Sequence, residues 1–139
     1  MPQRTIAMAG IAAFAAVFAI GFVLGTIRTL AITPRIGPVN SVLIEVPLML
    51  GASWAITRWA IQRWEVPPHA SARLMMGAIA FAFLMTAEAM LGRLAFGQSV
   101  GQWCAGLTSP SGAIGLFAQL SFALMPLAQR QLRGHDISG

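Results

Sequence analysis

The chain has 139 residues, enough for one domain; 57% are hydrophobic, 9% are charged, and the mean hydropathy is +0.73. Soluble domains carry roughly 25% charged residues, and disordered chains combine low hydrophobicity with high charge density, so both classes are excluded. The excess of nine arginines over four acidic residues is not a nucleic-acid signature, because the arginines are scattered and never form a run of three. No nucleic-acid partner is expected; the lipid bilayer is.

The first apolar run, Ile6 to Ile27, carries no charge and exceeds the ~20 residues needed to cross a hydrocarbon core. Arg4 precedes it as in a secretory signal, but signal cores run ~7–15 residues and no Ala-x-Ala site follows closely, so an uncleaved anchor is expected. This first span is placed at about 6–30. The breaker-rich stretch Thr33-Pro34-Arg35-Ile36-Gly37-Pro38 predicts a tight turn. A second span follows at about 38–62, interrupted by Glu45 and Pro47, and Val66-Pro67-Pro68 ends it.

The third span, about 74–97, carries Glu88 and Arg93. After it, Val100, Trp103, Cys104 and Leu107 fall at i, i+3, i+4 and i+7 behind Ser99. That spacing predicts a short amphipathic helix on the membrane surface, the alternative being an irregular loop. Ser109 as N-cap and Pro110 in the first turn open a fourth span, about 110–129, with a frayed tail from Arg130 to Gly139.

The expected fold is therefore all-α, a single integral-membrane four-helix bundle over residues 1–139. An odd-even assignment of loops puts Arg4, Arg58, Arg63, Arg73, Arg130 and Arg133 on one side and Arg28, Arg35 and Arg93 on the other. The positive-inside bias then places both termini in the cytoplasm, in a bacterial-type inner membrane. Arg58-Trp59 and Arg63-Trp64 suit a helix leaving the headgroup region on that side.

Charges inside a membrane are costly and usually partnered. Glu45 lies seven residues past Pro38, ~10 Å below the non-cytoplasmic end of its helix; Glu88 and Gln119 each lie nine residues, ~13 Å, from the corresponding ends of theirs. Arg28, near the end of the first helix on that side, can reach the same depth. The four residues form an expected polar layer. Arg28 is the natural cation to separate or bridge the two carboxylates, whereas Arg93, ~140° around the helix from Glu88, should snorkel outward. Pro47 leaves the Leu43 carbonyl without its helical donor within one turn of Glu45, a trait of helices that line a cavity. The layer reads either as an ion-pair network that fixes packing or as a binding or transport site.

Gly21 with Gly25 and Ala78 with Ala82 are small-xxx-small pairs suited to close helix packing. The lone Cys104 and the isolated His69 and His135 supply no disulfide, metal set or haem ligand pair, and no nucleophile or phosphate-loop motif occurs. No catalytic residue, cofactor or metal is expected. The function expected from these features is a non-catalytic accessory or assembly component, with a larger membrane complex or a second copy of the chain as protein partner. The alternative is a small transporter or ligand-binding protein using Glu45 and Glu88 as proton- or cation-responsive groups.

Overall fold

The computed structural model describes residues 2–138, and all of the regular structure in them is helical. In chain order the elements are α1 (Pro2–Ile27), a π-helical turn (Arg28–Ile32), α2 (Thr33–Ile36), α3 (Pro38–Arg63), α4 (Ala70–Phe96), α5 (Val100–Leu107) and α6 (Pro110–Ser138). Four stretches are long and apolar enough to cross a membrane: Gln3–Ile36, Pro38–Arg63, Ala70–Ala95 and Pro110–Gln129.

Three boundaries correct the expectations from sequence. The segment expected to turn at Thr33 stays helical to Ile36, and only Gly37, at φ +88°, breaks it. Pro34 is accommodated at the start of α2, where a missing N–H costs least. The helix widens to the π register just before it, with the Thr33 N–H reaching back to the Arg28 carbonyl, since the proline ring crowds the carbonyl four residues earlier. α4 begins at Ala70 rather than 74, and α6 runs to Ser138 where a frayed tail was expected. Gln, Leu and Arg after Gln129 are good helix formers, and no proline follows Pro126.

The ends of α3 and α4 are closed by similar means. At the first, Glu65 takes a left-handed φ of 50° and Val66 N–H reaches the Ile61 carbonyl at 3.0 Å; at the second, Gly97 (φ 67°) lets Gln98 N–H reach Gly92 at 3.0 Å. The first is a 6→1 closure and the second reaches one residue further back; both satisfy carbonyls left over at a helix end.

The four long helices form a ring of contacts: α1 packs on α3 and α4, and α6 packs on the same two. Among the described residues, α1 and α6 do not approach each other, nor do α3 and α4. Ala9, Ala13, Ala60, Ala72 and Ala80 lie inside beside larger residues such as Met76, Leu84 and Phe122, while Leu30, Leu94 and Phe117 face outward. Small residues at the contacts let helices approach closely, and large apolar side chains on the outside suit a lipid surround. Two glycines set the closest crossings. A Cβ on Gly77 would overlap the Ala123 carbonyl of α6, and one on Gly10 would sit 2.9 Å from the Met76 carbonyl of α4. The small-xxx-small pairs singled out from sequence lie elsewhere: Ala78 and Ala82 are exposed, and Gly21 and Gly25 line the cavity described below, where a Cβ would meet only the side-chain ends of Met49 at 3.4 Å and Arg28 at 3.8 Å.

The buried cluster is concentrated toward one end of the ring: Ile6 and Ala9 of α1, Ala60 and Ile61 of α3, Val66 of the α3–α4 connection, Ala72 and Met76 of α4, and Met125 of α6. At this end Arg73, read from sequence only as one of the arginines of the second connection, is 2% exposed. Its Nε donates to the Pro67 carbonyl at 3.1 Å and its Nη1 to the Pro126 carbonyl at 2.9 Å, tying the α3–α4 connection to α6. Hydrogen bonds from a charged donor contribute ~1.5–3 kcal/mol. Arg73→Ala should therefore lower unfolding free energy in mixed micelles by about 3 kcal/mol, and Arg73→Lys should recover only part, because an ammonium lacks the planar fork.

Candidate functional site

The opposite end of the ring is open. Beyond Val17, Leu84 and Phe122 the helices enclose a cavity of about 710 Å³. Most of its wall is apolar, and the close-packed alanine stripe gives way there to glycine: Gly21 and Gly25 from α1, Gly92 from α4, Gly112 and Gly115 from α6. A Cβ on Gly115 would meet nothing within 4 Å. Small residues in a membrane helix either admit a neighbouring backbone or leave space; Gly77 does the first and Gly115 the second.

Arg28, Glu45, Glu88 and Gln119 all line this cavity. Arg28 opens the π-helical turn, Glu45 is two turns into α3, Glu88 is in the last third of α4, and Gln119 is in the first half of α6. The Arg28 guanidinium forms an ion pair through Nε with Glu45 Oε2, the two side chains being 29% and 18% exposed. Gln119 Nε2 donates to Glu88 Oε1. Arg28 thus meets one carboxylate rather than bridging two, and Glu88 is held by an uncharged amide. Glu45 and Glu88 nonetheless face the same cavity. π-Helical turns inside longer helices occur often at functional sites; this one alters the register of the helix at the residue that supplies the cation.

Arg93 is exposed and does not line the cavity. Pro47 departs from its expected place. It is exposed, as is Leu43, so the carbonyl freed by the proline lies on the outer face of α3, about half a turn of azimuth from Glu45. The kink contributes no polar group to the cavity wall.

The segment between α4 and α6 lies against one side of the open end, touching α4 and α6. Ser99 caps α5 by a reciprocal pair: its Oγ accepts from Gln102 N–H at 3.1 Å, and its own N–H donates to Gln102 Oε1 at 2.9 Å. Of the apolar stripe read from sequence, Trp103 and Leu107 turn inward while Val100 and Cys104 are exposed. Leu107 and Gln98, at either end of α5, line the cavity. The far end of α5 is seated on α6, where the Gly106 carbonyl touches Gly112 so closely that a Cβ there would overlap it. Ser109 Oγ accepts from Gly112 N–H at 3.1 Å, the cap anticipated for the last long helix.

Sequence reasoning missed Gln98, Ser53 and Ser111 as wall residues and Arg73 as a buried tie. Arg73 had a signal: with Gly77, Ala80 and Leu84 it falls at i, i+4, i+7 and i+11, one helical face. Comparison with protein-family models, with curated proteins and with solved structures finds no match.

Proposed function

We propose that this chain is a multi-pass integral membrane protein, a four-helix bundle in a bacterial-type cytoplasmic membrane with both termini in the cytoplasm, and that its cavity binds a small ligand. The observation that carries the ligand reading is the cavity itself: about 710 Å³, with mostly apolar walls and, among its polar groups, Arg28, Glu45, Glu88 and Gln119, one from each of four helical segments. Ligand sites are characteristically apolar concavities of ~300–1,000 Å³ with a few placed polar groups. An ion-pair network whose only task is to lock helices needs no space beside it. The orientation draws support from the arginine asymmetry; the aromatic cluster at the packed end, where Trp59 meets Trp64 edge-on at 5.5 Å and Arg63 lies 5.2 Å from the Trp64 ring, suits a headgroup interface on either side.

The second reading, an accessory subunit of a larger membrane complex or a homo-oligomer, is favoured by one observation. Each carboxylate already has a partner within the chain, Arg28 for Glu45 and Gln119 for Glu88, so the layer is self-sufficient as a packing device. The two readings separate in native mass spectrometry of protein extracted in mild detergent. The ligand reading expects a stoichiometric low-mass adduct on the wild-type chain that is lost in Ala118→Trp, which fills the cavity from α6. A bare chain accompanied by a stoichiometric larger subunit would support the accessory reading instead.

A further inference from the structure

The polar groups of the cavity do not balance. Among the described lining residues Arg28 is the single cation, and it is engaged by Glu45, which leaves that pair neutral as a unit. Glu88 receives a hydrogen from Gln119 but no charge. A carboxylate beside an apolar cavity without a counter-ion is costly in any medium poorer than water, and the cost is removed by a cation or by a proton. Glu88 Oε1 is engaged by the amide, Oε2 has no hydrogen-bond partner among the described residues, and Glu45 lines the same cavity.

The body of a ligand would meet different chemistry. Phe18, Met49, Leu84, Leu91, Leu116 and Phe122 give the wall an aliphatic and aromatic surface, and the volume exceeds what a polar head alone would fill.

Resting on the ligand-binding reading above, we propose that the cavity takes an amphiphilic amine: a protonated amino head between Glu88 and Glu45, and an apolar body of about a dozen heavy atoms or more against the phenylalanine and leucine wall. An ammonium carries three donors and a compact charge, so it can satisfy the free oxygen of Glu88 while Gln119 keeps the other. An anionic head would face two carboxylates with the single guanidinium already engaged. A neutral head would leave Glu88 without a counter-ion.

Equilibrium dialysis of the full chain in mild detergent, against phenylbutylamine, phenylbutanol and phenylbutyrate, tests this with one apolar body and three heads. The amine should bind saturably, one molecule per chain, and about tenfold or more tighter than the alcohol, with the carboxylate weakest. Glu88→Gln keeps an amide-to-carbonyl hydrogen bond with Gln119 and should bring the amine down to the alcohol's affinity while leaving the alcohol unchanged. Ala118→Trp should abolish saturable binding of all three and so separates the cavity from partition into micelles. If the alcohol or the carboxylate binds as tightly as the amine, or if Glu88→Gln leaves the amine's affinity intact, the amine class is wrong and the ligand site stands. If none of the three binds in a manner sensitive to Ala118→Trp, the ligand-binding reading falls with it. The comparison of heads on the wild-type chain decides the class even if Glu88→Gln does not fold.

Discussion

Gly77→Ala should be among the most destabilising single-methyl changes this chain can receive. The added Cβ would overlap the Ala123 carbonyl, a backbone atom that no rotamer change can move aside, so α4 and α6 must separate along the ring's tightest seam. Overpacking typically costs ~1–3 kcal/mol. At Gly77 a loss at or above about 3 kcal/mol is expected, because displacing α6 also pulls the Pro126 carbonyl from Arg73. Gly51 is the matched control: it is exposed on α3, and a Cβ there meets nothing within 4 Å. Gly51→Ala should be neutral or stabilising by up to about 1 kcal/mol, the helix-propensity difference between the two residues. Denaturation in mixed micelles measures both, and equal effects would contradict the close crossing.

The second large effect is expected at Arg28. Removing the guanidinium leaves Glu45 as an unpartnered carboxylate next to Glu88, and losing one member of a buried pair costs ~3–5 kcal/mol. The two side chains are 29% and 18% exposed, so a loss near the lower figure, about 3 kcal/mol, is expected for Arg28→Ala. Glu45→Gln in the same background should restore most of it, since a neutral amide needs no counter-ion, whereas Glu45→Gln alone strands Arg28. A double-mutant cycle therefore yields a large coupling between the two positions. Additive losses would mean that the pair does not hold α1 to α3.

How far the fold was legible follows from what each signal encodes. Four long apolar helices were readable because a hydrocarbon core demands length and apolarity, and Ile6 to Ile27 or Pro110 to Gln129 satisfy that by counting. Their ends were not, because a proline such as Pro34 reads as a breaker in sequence and is harmless at the start of a helical turn. Depth was legible for Arg28, Glu45, Glu88 and Gln119, since rise per residue converts position to distance. Azimuth was not. Nothing in the order of residues says whether Arg28 turns toward Glu45 or Glu88, that Pro47 faces outward, or that Gly77 and not Gly21 marks the seam. Those depend on how each helix is rotated in the ring, which is fixed by contacts between distant parts of the chain. Arg73 counted in the sequence only toward the charge asymmetry, and its partners, Pro67 and Pro126, become visible only once α6 lies beside α4.

The ring is closed by packing at the Ala80 level and open at the level of Arg28, Glu45, Glu88 and Gln119. Single cysteines placed in a Cys104→Ser background test it in intact membranes with a small, impermeant thiol reagent. Gly115→Cys, on the cavity wall, should label from the non-cytoplasmic side, and labelling should fall when Ala118→Trp is added. Ala80→Cys, 2% exposed within the packed half, should resist the reagent from either side. Equal protection at both positions, or labelling of Gly115→Cys that Ala118→Trp leaves unchanged, would contradict the cavity and the function proposed for it.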